Sequence, residues 1–476
     1  MVIFFMPIFA EREKKSRAKN PVPAQTENKP IPFLPLPPTP ELTFAERQEG
    51  QKRMVHEGML FSIMNNSIVP GGAVLTAFAL YMGADVFIIG LITALPLFST
   101  ILQLWTPQFI SKVGNRKKLT VLTMGSARAS LIPLTIIGLG AWYGPNLAGL
   151  WLILFLLQLT IYSGLTAIGS TSWLSWAMTV VPIEQRATYF AKRATLVGMV
   201  GLVAALFTGF FLDWWTEPAA TATGHRTNPG AYVVLFAIAA VMGLTTTWLL
   251  HRTPDLKNEP HPAERPSFKE SLRSTWAMVA LRKYLIFRSV QLFAIGTVVP
   301  YYTVYMLENL KMSFTELFFL QNVGALAGLV VFPLWGRVLE KYGNSPVLFW
   351  TSWAKIAYVV LWAFVVPGNP FWPLLFLFIS LAIDSGFNLA AGNLLMNLLP
   401  TGTGNVGYIS VFTAVSSVAT AIGPFLAGIV IGWIASTAVP IFGFEMGAIQ
   451  IMFLASGVLR VISMFFFHGF SDAVKR

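Results

Sequence analysis

Gly336-Arg337-Val338-Leu339-Glu340-Lys341-Tyr342-Gly343-Asn344 is a short charged run between two apolar blocks, 314–335 and 346–366. Its acid and bases are too costly to leave in hydrocarbon. Each flanking block has the roughly 20 residues that a helix needs to cross a bilayer. The run is therefore a turn at a membrane surface. The same alternation continues outward in both directions. Apolar blocks fall at 57–83, 86–110, 119–140, 147–172, 194–214, 231–251, 284–307, 314–335, 346–366, 371–399, 406–434 and 447–468. Backbone polar groups in lipid need partners within their own segment, so these blocks are helices. The fold class is an all-α polytopic membrane protein with about twelve membrane helices, numbered here 1 to 12. Composition agrees. Of 476 residues, 55% are hydrophobic and 11% charged, against about 25% charged in soluble domains. One large water-soluble domain is excluded.

Charge sets the expected orientation. Of the 33 Lys and Arg, 28 lie in the N-terminal arm, the 2–3, 4–5 and 8–9 connections, the central stretch from Arg252 to Arg288, and the C-terminus. Only Arg226 and Lys311 lie on the other side, and Arg128, Lys355 and Arg460 lie within spans. Cytoplasmic connections are rich in Lys and Arg, so both termini are expected in the cytoplasm and the chain in the cell (inner) membrane. Bases placed between apolar blocks account for the net charge of +12 without nucleic acid. Met1–Ala10 is too short to span and precedes its basic residues, the reverse of a signal peptide. Residues 1–56 are otherwise polar and Pro-rich, and read as a disordered cytoplasmic arm. With 0 Cys there is no disulfide and no thiolate metal site.

The polar then amphipathic connection 252–283 divides the spans into bundles of six, 57–251 and 284–468, before a tail at 469–476. Internal echoes support a duplication. Pro70 pairs with Pro300, and Leu104-Trp105 with Leu334-Trp335, each at an offset of 230. Gly114-Asn115 pairs with Gly343-Asn344 at 229, and Ile161–Leu165 with Ile383–Phe387 at 222.

The run at 336–344 resembles the signature of the major facilitator superfamily, which recurs between helices 2–3 and 8–9. Gly336, Glu340, Lys341 and Gly343 match it in the second half. In the first half Gly114, Lys112, Arg116 and Lys117 match, but Pro107 replaces the Gly and Ser111 the acid. Val181–Arg193 and Pro300–Leu307 are similar to poorly characterised bacterial members. The resemblance implies two pseudo-symmetric six-helix bundles and alternating access, with helices 1, 4, 7 and 10 lining a central cavity and helices 3, 9 and 12 as scaffold. The missing acid puts the first-half gate in question.

Intramembrane ionisable residues are functional candidates by default. Asp384 reads as the one acid deep in a span, in helix 10, at the position matched by Tyr162 in helix 4. The alternatives for it are a proton, cation or substrate site and a structural acid. Arg128, Lys355 and Arg460 are read as buried bases in scaffold helices. Asn65, Asn66 and Ser67 precede Pro70-Gly71-Gly72, where helix 1 can break. Gln158, Gln291, Tyr301 and Asn388 complete the candidate substrate or proton path. Tyr302 and Tyr305 are alternatives to it, or belt residues.

No G-x-x-x-x-G-K-[ST] loop and no metal-spaced His pair occurs, so neither an ATP site, a metal nor another cofactor is expected. The reading is a non-enzymatic secondary active transporter of a small organic solute, with protons as candidate coupling ion, working as a monomer in the lipid bilayer. A drug or lipid exporter of the same fold is the alternative, and a non-transporting receptor or scaffold is the alternative of another class. An apolar lining with a lateral opening would favour export, and a plugged cavity would favour a scaffold.

Overall fold

A computed structural model describes residues 42–215, 229–255, 268–399, 405–435, 439–441 and 443–467. The arm up to residue 41, residues 256–267 of the linker and the tail from 468 lie outside them. Among the described residues, eleven helical stretches are long and apolar enough to cross a membrane. Asn344–Trp362, helix 9, is the twelfth. Its 19 residues include Lys355 and three Trp, which lower its hydropathy.

Helix 1 begins at Phe44, well before the apolar block that starts at 57. Thr43 and Glu46 form a reciprocal capping box, and Arg53 pairs with Glu49 one turn away. Residues 44–56, read as part of a disordered arm, are helix for this local reason. Hydropathy marks where a helix enters lipid, and capping marks where it starts.

Several spans are interrupted. Helix 1 runs Phe44–Ile68 and resumes at Ala73–Tyr81, with Pro70-Gly71-Gly72 in the gap and Gly71 at φ +75°. Helix 7 runs Val279–Gly296 and resumes at Val299, with Pro300 in its first turn. The echoed prolines thus mark equivalent breaks. Helix 10 is interrupted at Leu381, between Phe371–Ser380 and Ala382–Leu398, whereas helix 4 is continuous over Ala148–Val180.

The packing repeats with the sequence. Helix 1 packs on 5 and 6 as helix 7 packs on 11 and 12, and helix 3 packs on 4 and 6 as helix 9 packs on 10 and 12. The halves meet through helices 2 against 11 and 5 against 8, again a two-fold related pair. The turns after helices 2 and 8 each end on a glycine at positive φ, left-handed helical at Gly114 and extended in ψ at Gly343. Gly114 and Gly343 have φ of +74° and +82°, a backbone that favours glycine, and their N–H groups bond to Ile110 and Leu339.

Contact between the halves is tight at the end opposite the basic connections. Asp213 of helix 5 accepts from the N–H groups of Phe314 and Thr315 at the start of helix 8, at 2.9 and 2.7 Å. Asn322 donates to Leu202 at 2.9 Å. Tyr301 donates to the carbonyl oxygens of Val86 and Pro424, at 3.3 and 2.9 Å. A short antiparallel hairpin, Val439–Ile441 with Phe444–Met446, joins helices 11 and 12 at this end.

Candidate functional site

A cavity of about 320 Å³ lies mainly within the second half. Helices 7, 8, 9, 10 and 12 line it, and helix 1 contributes Gly71 from its break. Lys355 and Asp384 are joined across it by an ion pair of 2.6 Å. The Asp384 side chain keeps 31% of its surface exposed, and that of Lys355 keeps 13%. Helix 10 is anchored beside its break, because Ser385 donates to Gly328 and the Trp335 indole donates to Ala382. Arg460 of helix 12 also lines the cavity and donates to the Lys355 carbonyl at 3.0 Å, while its Nε has no hydrogen-bond partner among the described residues. Tyr302, Tyr358, Trp362 and Phe378 form an aromatic wall, with the Tyr302 and Trp362 ring centres 4.6 Å apart. Behind it, the Phe387 ring lies between Lys355 at 4.3 Å and Arg288 at 5.0 Å.

The first half holds a sealed counterpart. Glu57 of helix 1 pairs with Arg128 of helix 3 at 2.5 Å and Arg193 of helix 5 at 3.2 Å. The Glu57 and Arg128 side chains are 4% and 3% exposed. Arg193 also stacks on Trp173 of helix 4, 4.5 Å from the ring centre. One carboxylate with two guanidiniums ties four helices together.

Several sequence expectations change here. Asp384 is not the one deep acid, since Glu57 is more completely buried. Hydropathy had set Glu57 at the edge of a block, but helix 1 extends past it and two bases close over it. Lys355 and Arg460, placed in scaffold helices, line the cavity. Arg128 does sit away from it, in the first-half cluster. Tyr162 does not face Asp384. It is buried in the first-half core, within electrostatic reach of Arg128, and helix 4 contributes nothing to this cavity. Arg288, counted with the central connection, is buried in helix 7 because that helix begins at Val279.

The remaining path candidates are scattered. Gln158 donates to the Ser130 carbonyl where helix 3 is interrupted. Gln291 bridges Arg288 and Ser352. Asn66 donates to Gly201 of helix 5. Tyr301 reaches across to Val86 of the first half, and Tyr305 donates to Val365. Asn65 and Asn388 are half-buried and outside the cavity lining. Tyr302 alone of the tyrosine alternatives lines it.

In the signature, Gly336 has open space around it, Glu340 is exposed, and Lys341 lies 5.0 Å from the Tyr342 ring centre. In the first half, Asp255 after helix 6 accepts from Asn115 at 2.6 Å and acts electrostatically on Lys117. It brings an acid to the turn where Ser111 stands in place of one. Sequence reasoning missed Glu57, Arg193, Arg288, Tyr358 and Trp362. A usable signal for the cavity pair was that Lys355 and Asp384 lie at mid-span in neighbouring helices.

Two six-helix halves of repeated packing, meeting at one end over an ionised intramembrane cavity, define the class of secondary membrane transporters. The family model for the Major Facilitator Superfamily matches residues 55–424. The chain belongs to that superfamily. No curated protein matches it in sequence. Among solved structures it is similar to the nucleoside transporter NupG, at 13% identity and TM-score 0.61, over 88% of this chain and 99% of that one. A bacterial homologue of the human lysosomal transporter Spinster, inward-facing and unoccupied, aligns at 16% identity and TM-score 0.63, over 91% and 99%. A D-xylose–proton symporter aligns at 16% and 0.62, over 88% and 97%. At these identities the likeness is one of fold.

Proposed function

We propose that the chain moves a small organic solute by alternating access, with the Asp384 cavity as its binding site and protons as its coupling ion. The observation that carries this reading is the Asp384–Lys355 pair, an ionised contact with its carboxylate 31% exposed in a cavity between membrane helices. A charge at the centre of a span costs about 2.5–3.5 kcal/mol on insertion scales. A purely structural pair gains by being sealed, as Glu57 is. Protonation of Asp384 removes the charge facing Lys355, so proton and solute binding are linked through one contact.

Lys355, Asp384 and Arg460 in the lining favour a polar solute over a drug or lipid exporter, whose lining would be uniformly apolar. The open volume favours transport over a scaffold. The basic connections support cytoplasmic termini and the cell (inner) membrane, and a chain that supplies both halves supports a monomer.

The test is uptake into liposomes holding the purified protein, across metabolite classes, with and without an imposed pH gradient. The wild type is expected to concentrate a solute when the gradient is applied, and Asp384→Asn is expected to lose that response. Unchanged gradient-driven uptake by Asp384→Asn would remove the residue from coupling. Orientation is testable because the chain has 0 Cys. Single cysteines at Lys311 and Arg337 should react with an impermeant thiol reagent from opposite sides of the membrane.

A further inference from the structure

The charges around the cavity do not balance. Among the described residues, Asp384 is the one carboxylate in the lining, while Lys355 and Arg460 supply two cations. Arg288, outside the lining but over the same Phe387 ring as Lys355, adds a third cation nearby. Asp384 is committed to Lys355. Arg460 is 4% exposed and forms no ion pair among the described residues, and its Nε is without a hydrogen-bond partner. A buried guanidinium needs an anion or a full set of acceptors to offset its lost hydration. The Lys355 carbonyl and the Tyr302 hydroxyl provide two acceptors, neither of them charged. Neutral Tyr302 and Tyr358 cannot supply the missing charge.

The rest of the lining fits a flat apolar body. Tyr302, Tyr358, Trp362 and Phe378 offer ring faces and edges, and Met306 and Val299 close the wall. The volume, about 320 Å³, lies at the lower end of the usual range for ligand pockets, about 300–1,000 Å³. A neutral solute such as a sugar would leave Arg460 without an anion, and an amine would meet two cations.

We propose that this cavity selects a small organic anion, an aromatic carboxylate held by Arg460 and Lys355 with its ring against the Tyr302–Trp362 wall. The inference rests on reading this cavity as the transport site, and it adds the substrate class. Binding and flux separate the two readings. If anions bind without being carried, the transport reading fails and the substrate chemistry stands. If a neutral or cationic solute is carried and anions do not bind, the substrate chemistry fails and transport stands.

The experiment is thermal unfolding of the full-length purified protein with benzoate, cinnamate and indole-3-acetate, beside benzamide, benzylamine and inorganic phosphate. At least one aromatic carboxylate should raise the melting temperature in a saturable way, as ligands of the folded state do. Its amide and amine analogues and phosphate should not. Arg460→Gln should weaken that carboxylate at least tenfold. Asp384→Asn should strengthen it several-fold, because it frees Lys355 and makes the site more positive. This opposite sign separates anion recognition from general damage, and remains readable if Arg460→Gln fails to fold. The proposal is overturned if no carboxylate shifts the unfolding, if the amide or amine matches it, or if Asp384→Asn weakens binding.

Discussion

The two halves bury the same kinds of group and treat them differently. In the first, one carboxylate sits between two guanidiniums, with Glu57 and Arg128 at 4% and 3% exposure. In the second, Asp384 is 31% exposed and pairs with Lys355 at the edge of a cavity, while Arg460 and Arg288 have no acid of their own among the described residues. One base of each half occupies an equivalent helix, Arg128 in helix 3 and Lys355 in helix 9. The acids do not. Helix 4 carries Tyr162 where helix 10 carries Asp384, so the first-half carboxylate comes from helix 1. At the 230-residue offset of the two prolines, Glu57 corresponds to Phe287, next to Arg288. A repeated scaffold has a charged layer with more bases than acids in both halves, closed into a brace around one carboxylate in the first and open to a cavity in the second.

The largest effect should follow from breaking the brace. Glu57→Gln leaves buried Arg128 and partly buried Arg193 without their shared carboxylate. Loss of one partner from a buried ionic network costs about 3–5 kcal/mol. The variant should unfold at a clearly lower temperature in detergent, or fail to accumulate. Asp384→Asn should be much milder in the same assay, because its carboxylate is partly hydrated. Equal destabilisation by the two would abolish the distinction between brace and site.

Next is the coupling test on the open side. Removing the Asp384 charge should cut gradient-driven uptake by about tenfold or more, the change expected of about 1.4 kcal/mol or greater in a linked equilibrium. The matching change in the first half, Tyr162→Phe, should leave the pH response intact, since Tyr162 is packed in the core away from the cavity. A pH response lost in Tyr162→Phe but kept in Asp384→Asn would reverse the assignment of the two halves.

Much of the fold can be read along the chain, because lipid imposes few choices. Apolar length gives the spans, basic loops order the sides, and Pro70 and Pro300 mark matching breaks. The site is less legible because its partners are distant in sequence. Nothing near Glu57 announces Arg193, 136 residues later, as its partner. Lys355 and Asp384 were both visible as intramembrane charges, but that they touch depends on how helices 9 and 10 pack. Tyr162 shows the limit of symmetry. The repeat places it correctly opposite its base-bearing neighbour on helix 3, but the acid that meets this base comes from another helix. Hydropathy also misjudges the boundary of helix 1, whose first turns are held by a capping box rather than by lipid.

The halves also differ in how they hold each other at the closed end, and this allows two finer tests. A side chain added at Gly209 would meet the Phe314 carbonyl at 2.9 Å, and one added at Gly428 would meet the Phe87 backbone at 2.8 Å. Gly209→Leu and Gly428→Leu should therefore wedge helices 5 and 8, or 2 and 11, apart. Each should increase labelling of single cysteines lining that end, which an impermeant thiol reagent reads directly. No change in labelling would show that this packing does not control closure.

The smallest effect should come from Asp213. Its carboxylate, on helix 5, accepts from the first two N–H groups of helix 8 and so serves as a charged cap supplied by the opposite half. Ser313 and Glu316 already form a capping box at the same helix end, so helix 8 does not depend on Asp213 to start. Asp213→Ala should leave unfolding of the helix bundle nearly unchanged. It should weaken only the closed arrangement, by about 1–2 kcal/mol, the usual cost of losing a cap. That corresponds to roughly a tenfold rise in labelling at the far end. Asp213→Asn, which keeps an acceptor but not the charge, should fall between wild type and Ala. If Asp213→Ala lowers stability and leaves labelling unchanged, the residue braces the fold as Glu57 does, and the contrast between a fixed brace and a releasable latch does not extend to this end.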